Sequence, residues 1–261
     1  MRAIFIFLLT AASALAEGDW REKITASKPG GFPAPRPLTL HYRLGWSGIP
    51  AGEASIQYRR PKPDLLQIDA SGGTIGVARA LWKLDAKHTA TARESTLRPI
   101  AAKQTEFYSD YSVTTNLKFT PTSVTHLRER ATDDNAQKPK TFRFPNVLDL
   151  HAALLFVRSQ PLKPGTPVTF VVYPITSPYL ATVTVLGREK ISVKAGNFDA
   201  IKADLKLWEI NPKSLQLGAH QRFKRATAWL SDDRDRLPLK IESEIFVGSV
   251  RAELDRVNFE K

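Results

Sequence analysis

The chain has 261 residues and a formal charge of +12, from 38 Lys and Arg against 26 Asp and Glu, with 42% hydrophobic and 25% charged side chains. This is the composition of a globular chain, long enough for one large or two small domains. It contains no Cys, which excludes a disulfide scaffold, a thiolate metal site, a Cys nucleophile and a lipid-modified N-terminal Cys.

Residues 1–16 read as a cleavable signal peptide. Arg2 supplies the positive start, Ala3 to Leu9 opens an apolar stretch, and Ala14-Leu15-Ala16 is an A-x-A cleavage site that leaves Glu17 first in the mature chain. The apolar run is shorter than the about 20 residues of a spanning helix. No later stretch approaches that length, so the expectation is a soluble periplasmic protein with no transmembrane segment after cleavage. Losing Arg2 leaves 37 basic against 26 acidic side chains, a charge of +11. An exported basic protein points away from nucleic acid and toward lipid or anionic envelope glycan as partner. Scattered along the chain as they are, the basic residues equally serve solubility. Residues 17–37, with Lys28-Pro29-Gly30-Gly31-Phe32-Pro33-Ala34-Pro35-Arg36-Pro37, read as a Pro/Gly-rich linker. The remainder, 38–261, reads as one all-β domain.

From Leu38 the dominant period is two. Leu38, Leu40, Tyr42, Leu44 and Trp46 alternate with Thr39, His41, Arg43 and Gly45, which gives a strand with one apolar face. Ile49-Pro50-Ala51-Gly52 is expected to turn the chain into a second strand, with Ala54, Ile56 and Tyr58 on its apolar side, and Leu66, Ile68 and Ala70 mark a third. At 74–83 the rhythm changes: Ile75, Ala78, Leu81 and Trp82 take helical spacing behind Thr74, a candidate cap. Alternation resumes at 84–90 and continues over 101–108, 112–120 and 123–130, before a polar loop at Thr132-Asp133-Asp134-Asn135 and Pro139.

A second helix is expected over 149–159. Leu150, Ala153, Leu154 and Val157 fall at i, i+3, i+4 and i+7, Asp149 can cap, and Pro161 with Pro164 limits extension. Its stripe should pack into the concave side of a sheet. Strands follow at 166–173, 179–186, 191–193, 201–208, 222–230, 237–247 and 250–254, with a loop at 211–219 and a tight turn at Ser231–Arg236. About a dozen strands in sequential order, without βαβα alternation, give a mainly β fold: an antiparallel meander forming a curled sheet or barrel, with two short α-helices.

Four stretches resemble a bacterial exported family known as domain of unknown function 3108. They are Leu40 through Ala54, Asp149 through Arg158, Ala195 through Ile201, and Trp229-Leu230-Ser231-Asp232-Asp233 followed by Leu237-Pro238-Leu239-Lys240. The resemblance implies an exported all-β envelope protein and carries over no reaction. The implied architecture is similar to that of curled-sheet lipoprotein-localisation carriers, a likeness of fold alone.

Tests for chemistry give no catalytic constellation. His41, His88, His126, His151 and His220 show no ligand spacing, so neither a metal nor another cofactor is expected. Gly45-Trp46-Ser47-Gly48 lacks the G-x-S-x-G spacing and the strand-to-helix setting of a nucleophile elbow. Asp232-Asp233 reads as part of a hydrated hairpin tip, where a carboxyl gains little pKa perturbation. Gly72-Gly73-Thr74-Ile75-Gly76 lacks the Lys-Ser/Thr of a phosphate loop.

The candidate binding residues are aromatic: Trp46, Tyr58, Trp82 and Trp208. For Trp46 and Trp82 core packing is the expectation over binding, and strand parity puts Trp208 on the wetter face. The expected function is non-enzymatic binding of an apolar or amphipathic anionic ligand on the concave face of the sheet. The alternatives are an enzyme acting on envelope glycan, an outer-membrane barrel, and a structural component of an envelope complex.

Overall fold

The computed structural model describes residues 19–25, 28–132, 137–219, 223–245 and 248–260. The expected signal peptide, His220 and most of the polar loop at 132–135 lie outside them. Fifteen strands form one antiparallel sheet: β1 (Leu38–Trp46), β2 (Ile49–Lys62), β3 (Leu65–Thr74), β4 (Asp85–Ala92), β5 (Pro99–Phe107), β6 (Ser112–Thr120), β7 (Ser123–Arg130), β8 (Lys140–Arg143), β9 (Pro167–Val172), β10 (Tyr179–Val193), β11 (Gly196–Ile210), β12 (Leu217–Ala219), β13 (Phe223–Ser231), β14 (Pro238–Ile245) and β15 (Ser249–Phe259). Two helices interrupt the series, α1 (Gly76–Leu81) and α2 (Leu150–Ser159). None of the described helices is long and apolar enough to cross a membrane.

The sheet order is β8-β7-β6-β5-β4-β3-β2-β1-β15-β14-β13-β11-β10-β9, with β12 beside β11. Short turns keep most strands beside their successors, as in a meander; the exceptions are β8 and β9, which form the two edges, and β12 and β13, which both pair with β11. The β1–β15 pair joins the two ends of the sheet's chain segment. Edge strands β8 and β9 do not pair with each other, so the ladder does not close into a barrel. Other groups cover the β9 edge. Leaving β8, the chain crosses to β9, where the Leu148 amide donates to the Val171 carbonyl (3.0 Å) and the Tyr173 amide donates to the Leu148 carbonyl (2.8 Å). Farther along the edge, the Thr25 amide donates to the Thr169 carbonyl (2.8 Å), and the Thr169 amide donates to Thr25 Oγ1 (2.9 Å). These bonds satisfy backbone groups that an edge strand would otherwise present for pairing.

Helix α2 occupies the inside of the curl. Asp149 caps it, accepting from the Ala152 amide at 2.6 Å. Ala152, Ala153, Phe156 and Val157 pack with Val168, Phe170, Val172, Val183 and Ile201 of β9–β11. Leu155 packs with Leu38, Leu40, Tyr42, Tyr58 and Leu254 across the interior. Of the expected stripe, Ala153 and Val157 are buried in the first of these clusters and Leu154 packs against it, and the correction falls on Leu150 and on how much more of the helix is buried. Leu150 is 57% exposed, whereas His151, Ala152, Leu155, Phe156, Arg158 and Ser159 are buried. A helix wrapped by a sheet is buried on nearly every side, so an apolar stripe no longer marks its contact face. In a third cluster, Ala90, Ala102, Leu117, Val124 and Phe142 of β4–β8 meet Val171, Tyr173, Leu180 and Ile210. Consequently β9 is buried on both faces.

Local differences from the sequence pattern have local causes. The first turn is Ser47-Gly48, both with positive φ (46° and 86°), the two-residue hairpin geometry, and Ile49–Gly52 already belongs to β2. Thr74 does not cap α1; its hydroxyl donates to the Trp82 carbonyl (3.0 Å) and accepts from the Leu84 amide (3.1 Å), tying the helix back to the sheet. The four-residue β8 and three-residue β12 are too short to show a period, and 191–193 is the end of the long β10. The Pro/Gly stretch packs along the end of α2. The Gly30 amide donates to Ser159 Oγ (2.9 Å), the Phe32 amide to the Ser159 carbonyl (3.2 Å), and the Arg158 guanidinium to the Pro33 carbonyl (3.0 Å).

Candidate functional site

The structure does not bring the four aromatic candidates together. Tyr58 is buried in the core beneath α2, and burial pushes its hydroxyl up to about 12 despite the opposing effect of Arg158. Trp208, expected on the wetter face, is half-buried against the third cluster, because the opposite arm of the curl covers that face of β11. Trp46 and Trp82 correct the core-packing expectation, being 42% and 57% exposed. Both lie at one end of the curl, Trp46 opposite Ile49 at the β1–β2 turn and Trp82 just after α1.

The concave face that would have held a ligand is covered by α2, and the apolar space is found at the rim. A cavity of about 310 Å³ is lined by Arg93, Thr96, Leu97, Arg98, Pro99, Ile100, Phe119, Thr120, Pro121, Asn146, Val147, Leu148 and Phe156. Three connections and one helical side chain build it: the β4–β5 turn, the β6–β7 turn, the crossing that follows β8, and Phe156 of α2. Leu97 (φ 52°) and Asn146 (φ 58°) take left-handed backbone to make these bends. The Arg93 amide donates to the Arg98 carbonyl (2.9 Å), and the Asn146 amide donates to the Pro121 carbonyl (3.0 Å). Asp64 anchors the first turn by accepting from the Ser95 amide at 2.7 Å, which holds its carboxyl below the usual range.

Leu97, Pro99, Val147, Leu148 and Phe156 are buried and form the floor. Ile100, Phe119, Arg93 and Arg98 stand at the rim. Arg93 reaches Asp64 at 3.4 Å. Among the described residues no carboxylate lies within ion-pair distance of Arg98. Sequence analysis missed this cavity because its lining comes from turns and the strand ends beside them, with one helical side chain, and such a set carries no periodic signal. The available signal was Leu97 in the β4–β5 turn and Val147-Leu148 in the crossing after β8, apolar residues in connections that are ordinarily polar.

A second cleft, of about 340 Å³, lies along Ser47, Gly48, Thr227, Glu242, Ser243, Glu244, Ser249, Val250 and Arg251, and its walls are mostly hydroxyl and charged groups. Inside the curl the His88 and His151 rings lie 4.9 Å apart, and His126 Nδ1 is 2.7 Å from the Tyr173 hydroxyl. Burial depresses both rings of the first pair, His151 to about 3. Among the described residues no group of three or more His, Asp or Glu side chains could hold a metal ion.

The carboxylates of the hairpin tip have structural partners. Asp232 pairs with Arg188 (2.7 Å), and Asp233 accepts from the Ser231 hydroxyl and the Asp235 and Arg236 amides, shaping the hairpin tip. Asp149 is pushed up to about 6 by burial, opposed by the amides of its own helix, and no carboxylate contributes to that shift. Among the described residues Asp149 is the carboxyl held above its ordinary value, and its place is the cap of α2. What the rim pocket can do chemically is hold an apolar chain beside a guanidinium.

The family model described as Protein of unknown function (DUF3108) matches residues 40–255. No curated protein matches the sequence. Among solved structures, the chain is similar to a β-barrel-like protein of domain of unknown function DUF1849 from Brucella abortus, at 8% identity and a TM-score of 0.60, over 87% of this chain and 99% of that one. This is a likeness of fold. A protein from Bacteroides fragilis described as exported, with a YmcC-like fold, matches at 10% identity and TM-score 0.39 over 88% and 99% of the two chains. One from Parabacteroides distasonis described as a lipoprotein matches at 9% and 0.35 over the same shares.

Proposed function

This chain belongs to the family Protein of unknown function (DUF3108), and from that premise we propose that it is a non-enzymatic envelope protein that binds an amphipathic anionic ligand of lipid-like character. The observation that carries the proposal is the rim pocket: about 310 Å³ of apolar space beside Arg98. That volume is at the small end of ligand sites, which combine mostly apolar walls with a few placed polar groups. An acyl chain would lie against Leu97, Ile100, Phe119, Leu148 and Phe156. Its carboxylate or phosphate would meet Arg98, with Arg93 beside it, in a charge-assisted hydrogen bond. The signal-peptide pattern of residues 1–16 and the net charge of +12 support a periplasmic location near anionic lipid or glycan.

The test is organic extraction of the purified protein followed by mass spectrometry, with displacement of a fluorescent fatty acid as the solution assay. Co-purifying amphiphile is expected, and Ile100→Asp and Arg98→Glu should each weaken binding about tenfold, the effect of losing one contact of about 1.4 kcal/mol. A protein that yields no amphiphile and binds neither fatty acid nor lysophospholipid would overturn the proposal.

A further inference from the structure

Six of the large side chains left exposed by the fold gather at the end of the curl away from the rim pocket. Val77 (65% exposed) and Leu81 (78%) project from α1, Trp82 follows it, and Trp46, Ile49 and Phe107 end or begin the strands around it. They lie along the ends of successive strands. The Ile75 amide donates to the Ala51 carbonyl (3.1 Å), Gly52 pairs with Thr74, and Asp85 pairs with Phe107. The Trp82 ring lies 6.5 Å from Tyr108, which stacks on Tyr111 at 4.6 Å. No residue of α1 is buried. A short helix of a folded domain ordinarily sinks one face into the protein; this one rests on β2 and turns its aliphatic side chains outward.

The charges around this surface sort by partner. Arg79 binds Asp85 (2.8 Å), and Arg128 binds Glu106 (2.8 Å). Lys83, next to Trp82, has no carboxylate within ion-pair distance among the described residues, and neither does Arg130, whose guanidinium stands 3.7 Å over the Tyr111 ring. Asp110 and Glu129 balance these two cations in number, so the field that favours an anionic partner comes from the chain's overall +12. Exposed aliphatics beside Trp and Tyr, edged by Lys and Arg, make the composition that settles at a membrane–water interface: apolar groups at the acyl boundary, amphipathic rings at head-group level, cations toward anionic lipid.

We propose that the α1 end of the curl docks on the surface of an anionic bilayer, inserting Val77, Leu81 and Trp82 at the interface with Lys83 and Arg130 against the head groups. A large exposed apolar patch needs an occupant, and the net positive charge selects an anionic lipid surface over a neutral one. The inference is independent of the rim pocket, which opens among turns at the other end of β4–β7.

The purified full chain is floated with vesicles of phosphatidylcholine, with and without phosphatidylglycerol, at low and high salt. It is expected to float with the anionic vesicles and to be released by salt. Val77→Asp with Leu81→Asp should cut the bound fraction about tenfold, as loss of apolar insertion predicts. Because both residues are exposed, the melting temperature should stay the same, and the fatty-acid displacement of the rim pocket should be unaltered. Lipids carrying brominated acyl chains should quench the native chain's tryptophan emission more than that of Trp82→Phe. Failure to float with anionic vesicles, flotation that survives the double substitution, or capture by envelope glycan in place of vesicles would each overturn the proposal.

Discussion

Gly30 has no side chain for a reason fixed by Ser159. A Cβ at Gly30 would stand 2.0 Å from the Ser159 carbonyl oxygen, with the Gln160 backbone at 2.9 Å. Those are backbone atoms at the end of α2, so nothing small can give way. Gly30→Ala should lower the unfolding free energy by about 1–3 kcal/mol, the usual cost of overpacking, read as a drop in urea midpoint at unchanged m-value. The buried titrating groups give a second prediction at this scale. Burial lowers His151 to about 3 in the folded protein against an ordinary 6.5. A depressed folded pKa gives stability that is complete above 6.5 and is lost as pH falls toward 3, because only the unfolded chain takes the proton. From pH 7 to pH 5 this costs about 2 kcal/mol. His88 and His126 are also lowered, chiefly by burial, and act in the same direction. Asp149 works the other way. Raised to about 6, its ionised form costs stability above that pH, and protonation on acidification returns about 1 kcal/mol between pH 7 and 5. Urea unfolding should therefore show a lower stability at pH 5 than at pH 7, a smaller difference in His151→Gln, and a larger one in Asp149→Asn. The sequence displays these residues but not their surroundings; His88 and His151 are 63 positions apart and meet only because α2 enters the sheet.

Helix α2 shows which features of an element can be read in advance. Its bounds and its cap are local matters: Asp149 has amides within reach, and Pro161 blocks continuation, so both were legible. Which side it buries depends on residues far along the chain. Helical periodicity favours Leu150 as a contact residue, while the fold leaves it 57% exposed and buries Phe156, whose ring meets Phe170 edge-on at 5.8 Å. The two assignments predict opposite mutational results. Phe156→Ala should cost about 3–5 kcal/mol for a buried aromatic truncated to a cavity, and Leu150→Ala should stay within about 0.5 kcal/mol. Thermal unfolding of the two variants decides between them. The strands divide in the same way. Long alternating strands such as β1 and β6 were legible from end to end, whereas β8 owes its position to pairing with β7. The rim pocket was illegible for a related reason, since four separated segments each contribute one wall.

For the whole molecule, most of the order of strands follows from the sequence because neighbours in the chain are mostly neighbours in the sheet, but the joining of its two arms does not. The arms are joined by the β1–β15 pair, which brings together the two ends of the domain, and the open β9 edge is covered by a few bonds. Thr25 supplies two of those bonds, and Trp20 and Ile24 from the same short segment pack on the third cluster. The Trp20 ring stacks on Phe144 at 5.4 Å, and its indole N–H donates to the Leu215 carbonyl at 3.1 Å. The segment thus covers a strand edge and part of the apolar seam between the two arms of the curl. Starting the chain at residue 28 would uncover the Thr169 amide and carbonyl on a strand whose neighbouring residues are apolar, which is the arrangement that recruits another chain. Such a chain is expected to keep its β-sheet circular dichroism while sedimenting as concentration-dependent oligomers, where the chain starting at Glu17 sediments as a single species. A double substitution, Trp20→Ala with Ile24→Ala, separates the two contributions. It removes the apolar cover but leaves both Thr25 hydrogen bonds to Thr169, so it should lower the melting temperature with less association than the truncation. Equal association in both proteins would assign edge protection to the Trp20 and Ile24 side chains rather than to the hydrogen bonds of Thr25.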